Sequence, residues 1–250
     1  MYNPTLRQLF ERKSMRVFNH IPVPDELKET VLSAATQAPT AGNQQLYAVI
    51  DVTDDDVKSE LAELCDHQTF IADAPWVLVF VADCLRWYDA YTRAGCDARE
   101  PGPGDLMLAV TDACIAAQNT VVAAESCGLG SCYIGDVMEN CAQMRRLLGL
   151  PAKVFPCAML VLGYPTEQQL KRVKPPRFPL SAIVSENSYN RLNGAAFQEA
   201  LAKRETGAAS IAFDEAHWIT AFCKRKYDSA FAREMSRSVA EYLNDYRLDH

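Results

Sequence analysis

Trp76-Val77-Leu78-Val79-Phe80-Val81 is an unbroken apolar run directly after Pro75. A strand with one wet face alternates polar and apolar residues, whereas a continuous run of β-formers is covered on both faces. The run therefore predicts a strand at the centre of a sheet. Leu46 to Val52 predicts a second strand upstream; Ser131 to Ile134 and Ala158 to Leu162 predict two more downstream. Helical patterns separate them. Leu6 to Lys13 reads as helical, and Ser14 to Phe18 then runs extended toward Pro22 and Pro24. Asp25 and Glu26 open a helix carrying Leu27, Val31 and Ala34 or Ala35, and Asp54-Asp55-Asp56 open another through Leu61 and Leu64. A fourth runs from Glu139 to Leu148, closed by Gly149 and Pro151. The strands have no regular β-α-β period, and Gly128, Gly130 and Gly135 do not satisfy G-x-G-x-x-G. That order favours an α+β sheet covered by helices over a doubly wound dinucleotide-binding fold.

The most apolar long stretch is Leu106 to Ala124, interrupted by Thr111, Asp112, Gln118, Asn119 and Thr120. These interruptions argue against a membrane span and for a buried or interfacial helix, with Asp105 as its cap. Before it, Cys84 to Gly104 ends in Pro101-Gly102-Pro103-Gly104 and predicts a loop. Lys171 to Pro179 forms an extended, basic, proline-rich segment. Beyond it, helices are expected around Ala195 to Lys203 and Phe213 to Asp245, with a weak segment near Thr206 to Ser210. With no internal repeat and no clear linker, the 250 residues predict a single domain, its core about 5–190 and a helical extension about 191–250.

Residues are 49% hydrophobic and 23% charged, with a formal net charge of -7 and a pI near 5.2. An acidic chain without a long basic stripe is a poor general nucleic-acid binder. The opening Met1 to Phe10 lacks a signal-type apolar core, and nine cysteines without a C-x-x-C pair read as reduced packing thiols; a cytoplasmic location is expected. Four histidines without ligand spacing give no zinc signature.

Against that acidic background, Arg12, Lys13, Ser14 and Arg16 concentrate three cations and a hydroxyl in five residues. Forked guanidinium bonds and a lysine point charge suit a dianionic phosphate, although such a run alone also fits a solvated helix end. A second cationic pair, Lys174 and Arg177, is equally a solvated linker when taken alone. The loop Pro39 to Gln45 and the lone Gln68 supply groups that donate and accept at once, which suits the edge of a heteroaromatic ring; alone they read as a turn and a surface side chain.

Taken together, Arg12-Lys13-Ser14-Met15-Arg16-Val17-Phe18, Ala38-Pro39-Thr40-Ala41-Gly42-Asn43-Gln44-Gln45 and Gly128-Leu129-Gly130-Ser131-Cys132-Tyr133-Ile134-Gly135 resemble the FMN-dependent nitroreductase family. Ala116-Ala117-Gln118-Asn119, Ala123-Ala124-Glu125-Ser126 and Gly163-Tyr164-Pro165 extend the likeness. Lys174-Pro175-Pro176-Arg177-Phe178-Pro179 and Glu186-Asn187-Ser188-Tyr189 point to the subgroup of major oxygen-insensitive nitroreductases and NADPH-flavin oxidoreductases. The resemblance spans about residues 5–190. It implies a nitroreductase-like fold with a mainly antiparallel central sheet and a homodimer, with the long central helix at the interface.

By position, the resemblance implies that Arg12, Lys13, Ser14 and Arg16 hold the FMN phosphate and ribityl side, with Lys174 and Arg177 completing a charge clamp. Thr40 and Gln68 fall where the family contacts the flavin, and Tyr133, Ile134 and Gly135 line its ring. Ala41, Gly42 and Asn43 fall on the substrate side. The chemistry implied is carried by FMN, with NADPH or NADH as donor and nitroaromatics, quinones or flavins as small-molecule acceptors, in ping-pong order. A dehydrogenase or reductive dehalogenase on the same fold, or a flavin-binding redox sensor, are the alternatives.

Three departures from the subgroup stand out. Arg12-Lys13-Ser14 replaces His-Arg-Ser, and Asp136 replaces a glycine, which predicts a lower flavin potential if its carboxylate faces the ring. Where the subgroup carries an arginine-bearing nucleotide loop, this chain reads Lys203-Arg204-Glu205-Thr206-Gly207-Ala208-Ala209-Ser210.

Overall fold

The apolar run becomes the second strand of a four-stranded sheet in a computed structural model, which describes residues 3–207 and 213–247. Strands β1 (Tyr47–Val52), β2 (Trp76–Asp83), β3 (Gly130–Ile134) and β4 (Val154–Gly163) lie in the order β1-β2-β4-β3, every pair antiparallel. β2 is central, as its composition predicts, and β4 beside it is buried along its whole length. Alternation sorts the side chains of β2: Trp76, Leu78, Phe80 and Ala82 face one hydrophobic layer, Val77, Val79 and Val81 the other.

Among the described residues the chain forms ten α-helices: α1 (Pro4–Glu11), α2 (Asp25–Ala35), α3 (Asp55–Leu64), α4 (Arg86–Arg93), α5 (Pro103–Ser126), α6 (Cys141–Leu148), α7 (Glu167–Lys171), α8 (Gly194–Thr206), α9 (Glu215–Phe222) and α10 (Ala230–Leu243). The long helix α5 buries Leu106, Ala109, Ala113, Ala116, Ala117, Val121 and Ala124 in the layer of Trp76 and Phe80. By length and apolarity alone α5 is sufficient to cross a membrane, contrary to the sequence expectation, because isolated polar residues dilute its mean hydropathy too little. Its small-residue stripe is instead the close-packing surface against the sheet. Leu61 of α3 and Met144 of α6 fill the opposite layer.

Three local readings are corrected. Residues 84–104 are not all loop, since α4 forms there with no residue fully buried. Asp105 does not sit at the cap position of α5; Gly102 does, and Asp105 three residues on accepts its N–H at 2.8 Å while Pro103 occupies the first turn. The helix expected from Glu139 starts at Cys141.

The described residues of Met1–Arg172 and Arg233–His250 form one compact unit, and those of Val173–Ala232 a second. In the first, the tail residues Ser238, Tyr242 and Tyr246 are buried, Ser238 accepting the Cys141 N–H at 3.0 Å. The second is organised by Arg204, whose guanidinium lies 4.3 Å from the Phe178 ring and 5.2 Å from that of Trp218. Of the weak segment near Thr206 to Ser210, residues 208–210 lie outside the described residues.

Candidate functional site

The basic patch follows α1 and runs as extended chain along the free edge of β3. Ser14 pairs with Ser131 as an isolated parallel bridge, and the Met15 N–H donates to Ser131 O at 2.9 Å. Alternation then buries Met15 and leaves Arg16 exposed. The approach is close at Gly130: a Cβ there would lie 2.7 Å from Met15 Cγ, so that side chain would have to shift. Arg12 lies over the Tyr133 ring at 5.8 Å, and its Nε is buried with no hydrogen-bond partner among the described residues. A buried cationic donor left without an acceptor suits an anionic ligand. Lys13 behaves differently, because its Nζ donates to the carbonyls of Leu170 at 2.6 Å and Arg172 at 2.5 Å, tying the end of α1 to α7. Arg16 donates its backbone N–H to Gln169 Oε1 at 3.2 Å and holds its guanidinium 5.8 Å from the Phe70 ring.

Thr40, Ala41, Gly42 and Asn43 form a tight loop in which Gly42 and Asn43 both have φ of 57°. Its organiser is Asp112 of α5, only 3% exposed. Thr40 Oγ1 donates to Asp112, the Ala41 N–H to Oδ1 at 3.1 Å and the Leu46 N–H to Oδ2 at 3.2 Å, while Thr40 Oγ1 accepts from the Gln45 N–H at 2.8 Å. The Thr40 hydroxyl thus shapes the loop, leaving exposed Gly42 and Asn43 at its tip. The sequence marks Asp112 only as a polar break in an apolar helix.

Tyr133, Ile134 and Gly135 lie in sequence from β3 into the turn Asp136–Met138. Tyr133 is half-buried and donates to Gln118 Oε1 of α5 at 3.3 Å; Ile134 is buried. Gln118 lies six residues from Asp112, roughly 9 Å along the helix axis, so α5 anchors both the loop and the edge strand. Gln68 donates from Nε2 to Cys65 O at 2.8 Å and to Asp136 Oδ2 at 2.9 Å. Burial pushes the Cys132 thiol up while Arg16, Ser14 and Arg12 draw it down and Asp136 opposes them, which sets the patch and the Gln68–Asp136 pair in one neighbourhood. Glu139, 3% exposed, is pushed up to about 8 by burial and then by Asp136.

Lys174 and Arg177 lie on the extended segment of the second unit, Arg177 exposed. Lys203 there is exposed, whereas Arg204 is half-buried between Phe178 and Trp218 and its Nε donates to Glu205 at 2.7 Å. The first unit therefore brings together Arg12, Ser14, Arg16, Gln68 and Tyr133 around one edge strand, with the Thr40 loop hung from α5.

A family model described as Nitroreductase family matches residues 9–164, which contain this edge strand, the loop and α5. The chain belongs to the nitroreductase family. Among its relatives, the NADPH-flavin oxidoreductase of Vibrio harveyi is 33% identical over 191 residues, 76% of this chain and 77% of that one. The FMN reductase [NAD(P)H] of Bacillus subtilis is 30% identical over 250 residues, covering 99% and 94%. The solved structure of B. megaterium NfrA2 superposes with a TM-score of 0.81 over the whole of both chains at 28% identity. The nitroreductase fold, an α+β architecture on an antiparallel sheet, is thus common to this chain and its neighbours.

Proposed function

We propose that this chain is an FMN-dependent oxidoreductase that takes electrons from NADPH or NADH and reduces small electron-poor acceptors such as nitroaromatics, quinones or flavins. The observation that carries the reading is the Nε of Arg12, buried and without a hydrogen-bond partner among the described residues, beside Ser14 and Tyr133 on the edge of β3 in a chain whose relatives bear flavin-reductase names. Arg12 and Arg16 would hold the phosphate of FMN with the Ser14 hydroxyl, and Gln68 with the backbone of Tyr133, Ile134 and Gly135 would face its ring. Lys13 would hold the segment in place through its two carbonyl bonds. The chemistry FMN supplies when bound is acceptance of a hydride from the nicotinamide and its delivery to the acceptor, in ping-pong order.

Ala41, Gly42 and Asn43 are proposed to meet the acceptor, on a loop that Asp112 keeps in shape. The outer face of α5 is proposed as the homodimer interface, a cytoplasmic location as the setting, and the two units as parts of one functional domain.

The test begins with the purified protein, expected to be yellow with bound FMN. Arg12→Ala removes a charge-assisted donor and is expected to weaken FMN binding about tenfold or more. Initial rates with NADH or NADPH against nitroaromatic, quinone and flavin acceptors should give parallel double-reciprocal lines; a colourless protein that takes up no FMN, or no oxidation of either nucleotide, sinks the reading.

A further inference from the structure

Helix α4 buries none of its eight residues fully, and a helix that short is marginal in water on its own, so its surroundings must hold it. Polar struts at its rim do so. The Asp83 carboxylate accepts the N–H groups of Leu85 and Arg86 at 3.0 and 3.1 Å. Arg86 donates to Gln45 O at 3.2 Å, Trp87 Nε1 to Gln44 O at 2.8 Å and Tyr88 OH to Glu100 at 2.9 Å. Glu100 is paired in turn with Lys153 at 3.0 Å, and Lys153 Nζ donates to Pro101 O at 2.9 Å.

Inside this frame lies a cavity of about 320 Å³, within the range of small-molecule pockets. Its walls are the rings of Trp87, Tyr88 and Tyr91 with the side chains of Leu46, Cys84 and Leu108. Trp87 and Tyr91, one turn apart with ring centroids 5.8 Å from each other, remain 37% and 38% exposed, so the protein's own core does not cover them. The struts consume the polar tips of Trp87 and Tyr88, which leaves those rings to offer faces and edges. The charged pair in the lining is already matched: Arg99 donates to Asp105 through both guanidinium nitrogens, at 2.6 and 3.0 Å. An anion entering such a cavity would lose hydration without gaining a counter-charge. Gln44 and Tyr91 differ from the rest of the wall. Gln44 Nε2 lies 3.5 Å from the Tyr91 hydroxyl, the limit of a hydrogen bond, so both groups retain capacity for a ring substituent.

We propose that the cavity beside α4 is a binding site for an uncharged planar aromatic molecule of one or two rings, stacked on Trp87 or Tyr91 with a hydroxyl or carbonyl substituent at Gln44 and Tyr91. Its occupant braces the Thr40 loop, because α4 holds Gln44 and Gln45 by their carbonyls while their N–H groups bond to Ala41 O and Thr40 Oγ1. The site does not rest on the flavin reading, since no residue of its lining is among the proposed FMN contacts.

The experiment is an NMR titration of the full chain, as purified and after FMN addition, with 2-naphthol as the neutral probe and naphthalene-2-sulfonate as its charged counterpart. The Trp87 indole N–H signal, assigned by its loss in Trp87→Phe, should shift saturably with 2-naphthol at a Kd of about 100 μM or tighter. The sulfonate should bind at least about tenfold more weakly. Ala98→Trp fills the cavity from a half-buried position and should weaken 2-naphthol about tenfold or more with circular dichroism unchanged. Tyr91→Ala truncates an exposed wall residue and should cost about tenfold as well, a second handle should the larger side chain disturb folding. Amide exchange at Gln44 and Gln45 should slow when 2-naphthol is bound. No saturable shift, equal affinity for the two probes, or binding indifferent to both Ala98→Trp and Tyr91→Ala overturns the site. Displacement of 2-naphthol by FMN overturns it too, because the probe would then occupy the flavin pocket. Unchanged exchange at Gln44 and Gln45 overturns the bracing of the loop. A protein that takes up no FMN refutes the flavin reading, while the naphthol titration still decides this site.

Discussion

Asp112 accepts from Thr40, Ala41 and Leu46 through one buried carboxylate, and its loss should be felt at all three. Asp112→Ala is expected to cost about 3 kcal/mol in urea unfolding, because hydrogen bonds to a buried charge are worth about 1.5–3 kcal/mol each and not all donors stay dry. Amide exchange at Ala41 and Leu46 should accelerate with it; unchanged exchange would mean the loop holds its own shape. Glu139 makes a prediction of opposite electrostatic origin. Its acid form is favoured in the folded chain, with the pKa raised from 4.5 to about 8, so the folded state binds more protons than the unfolded state between those values. Stability is then full below about pH 4.5, falls as pH rises through this window with a slope approaching about 1.4 kcal/mol per pH unit, and levels off above it. Glu139→Gln should flatten that slope in unfolding free energies measured from pH 5 to 9. Neither residue announces its role in the sequence. Asp112 looks like a flaw in an apolar helix because its partners lie 66–72 positions away, and Glu139 looks like the first residue of a helix. Arg12 is the contrast, since density of charge in an acidic chain is a local signal.

At the level of elements, β2 and α5 are legible because burial on both faces, or along a stripe, writes itself into consecutive residues. The order β1-β2-β4-β3 is not, since the pairing of β4 between β2 and β3 depends on a return of the chain that no local pattern encodes. Helix α4 escaped for another reason: it buries no residue fully, and the Pro-Gly repeat after it reads as loop. The junction of β3 and β4 rests on two glycines, Gly130 and Gly163, paired with each other in register. A Cβ on Gly163 would lie 2.8 Å from Pro75 Cγ and 3.0 Å from Phe18 Cγ, both in rigid rings, whereas one on Gly130 meets the flexible Met15 side chain. Gly163→Ala is therefore expected to destabilise by about 2–3 kcal/mol and Gly130→Ala by less, near the lower end of the overpacking range of about 1 kcal/mol. Thermal and urea unfolding of the two variants test that order, and equal losses would show that Met15 cannot yield.

For the whole molecule, the decisive surface is the side of α5 turned away from the sheet. Met107 and Leu108 are 55% and 52% exposed, and Val110, Thr111, Cys114, Ile115, Gln118 and Asn119 line a groove along the same helix. A helix of 24 residues spans roughly 36 Å, long enough to seat a second copy along its length. An apolar strip of that kind on a chain of net charge -7 needs cover, and a symmetric partner supplies an identical strip. The proposed dimer also bears on the site, because α5 anchors the Thr40 loop through Asp112 and Tyr133 through Gln118. Sedimentation should find a dimer at micromolar concentration. The double variant Met107→Glu, Thr111→Arg changes two exposed positions, so each chain should keep its fold by circular dichroism while dissociation strengthens about 100-fold, roughly 3 kcal/mol. If FMN retention falls with dimerisation and returns at high protein concentration, the interface supports the site. A wild-type monomer, or a variant that sediments unchanged, would place the partner on some other face.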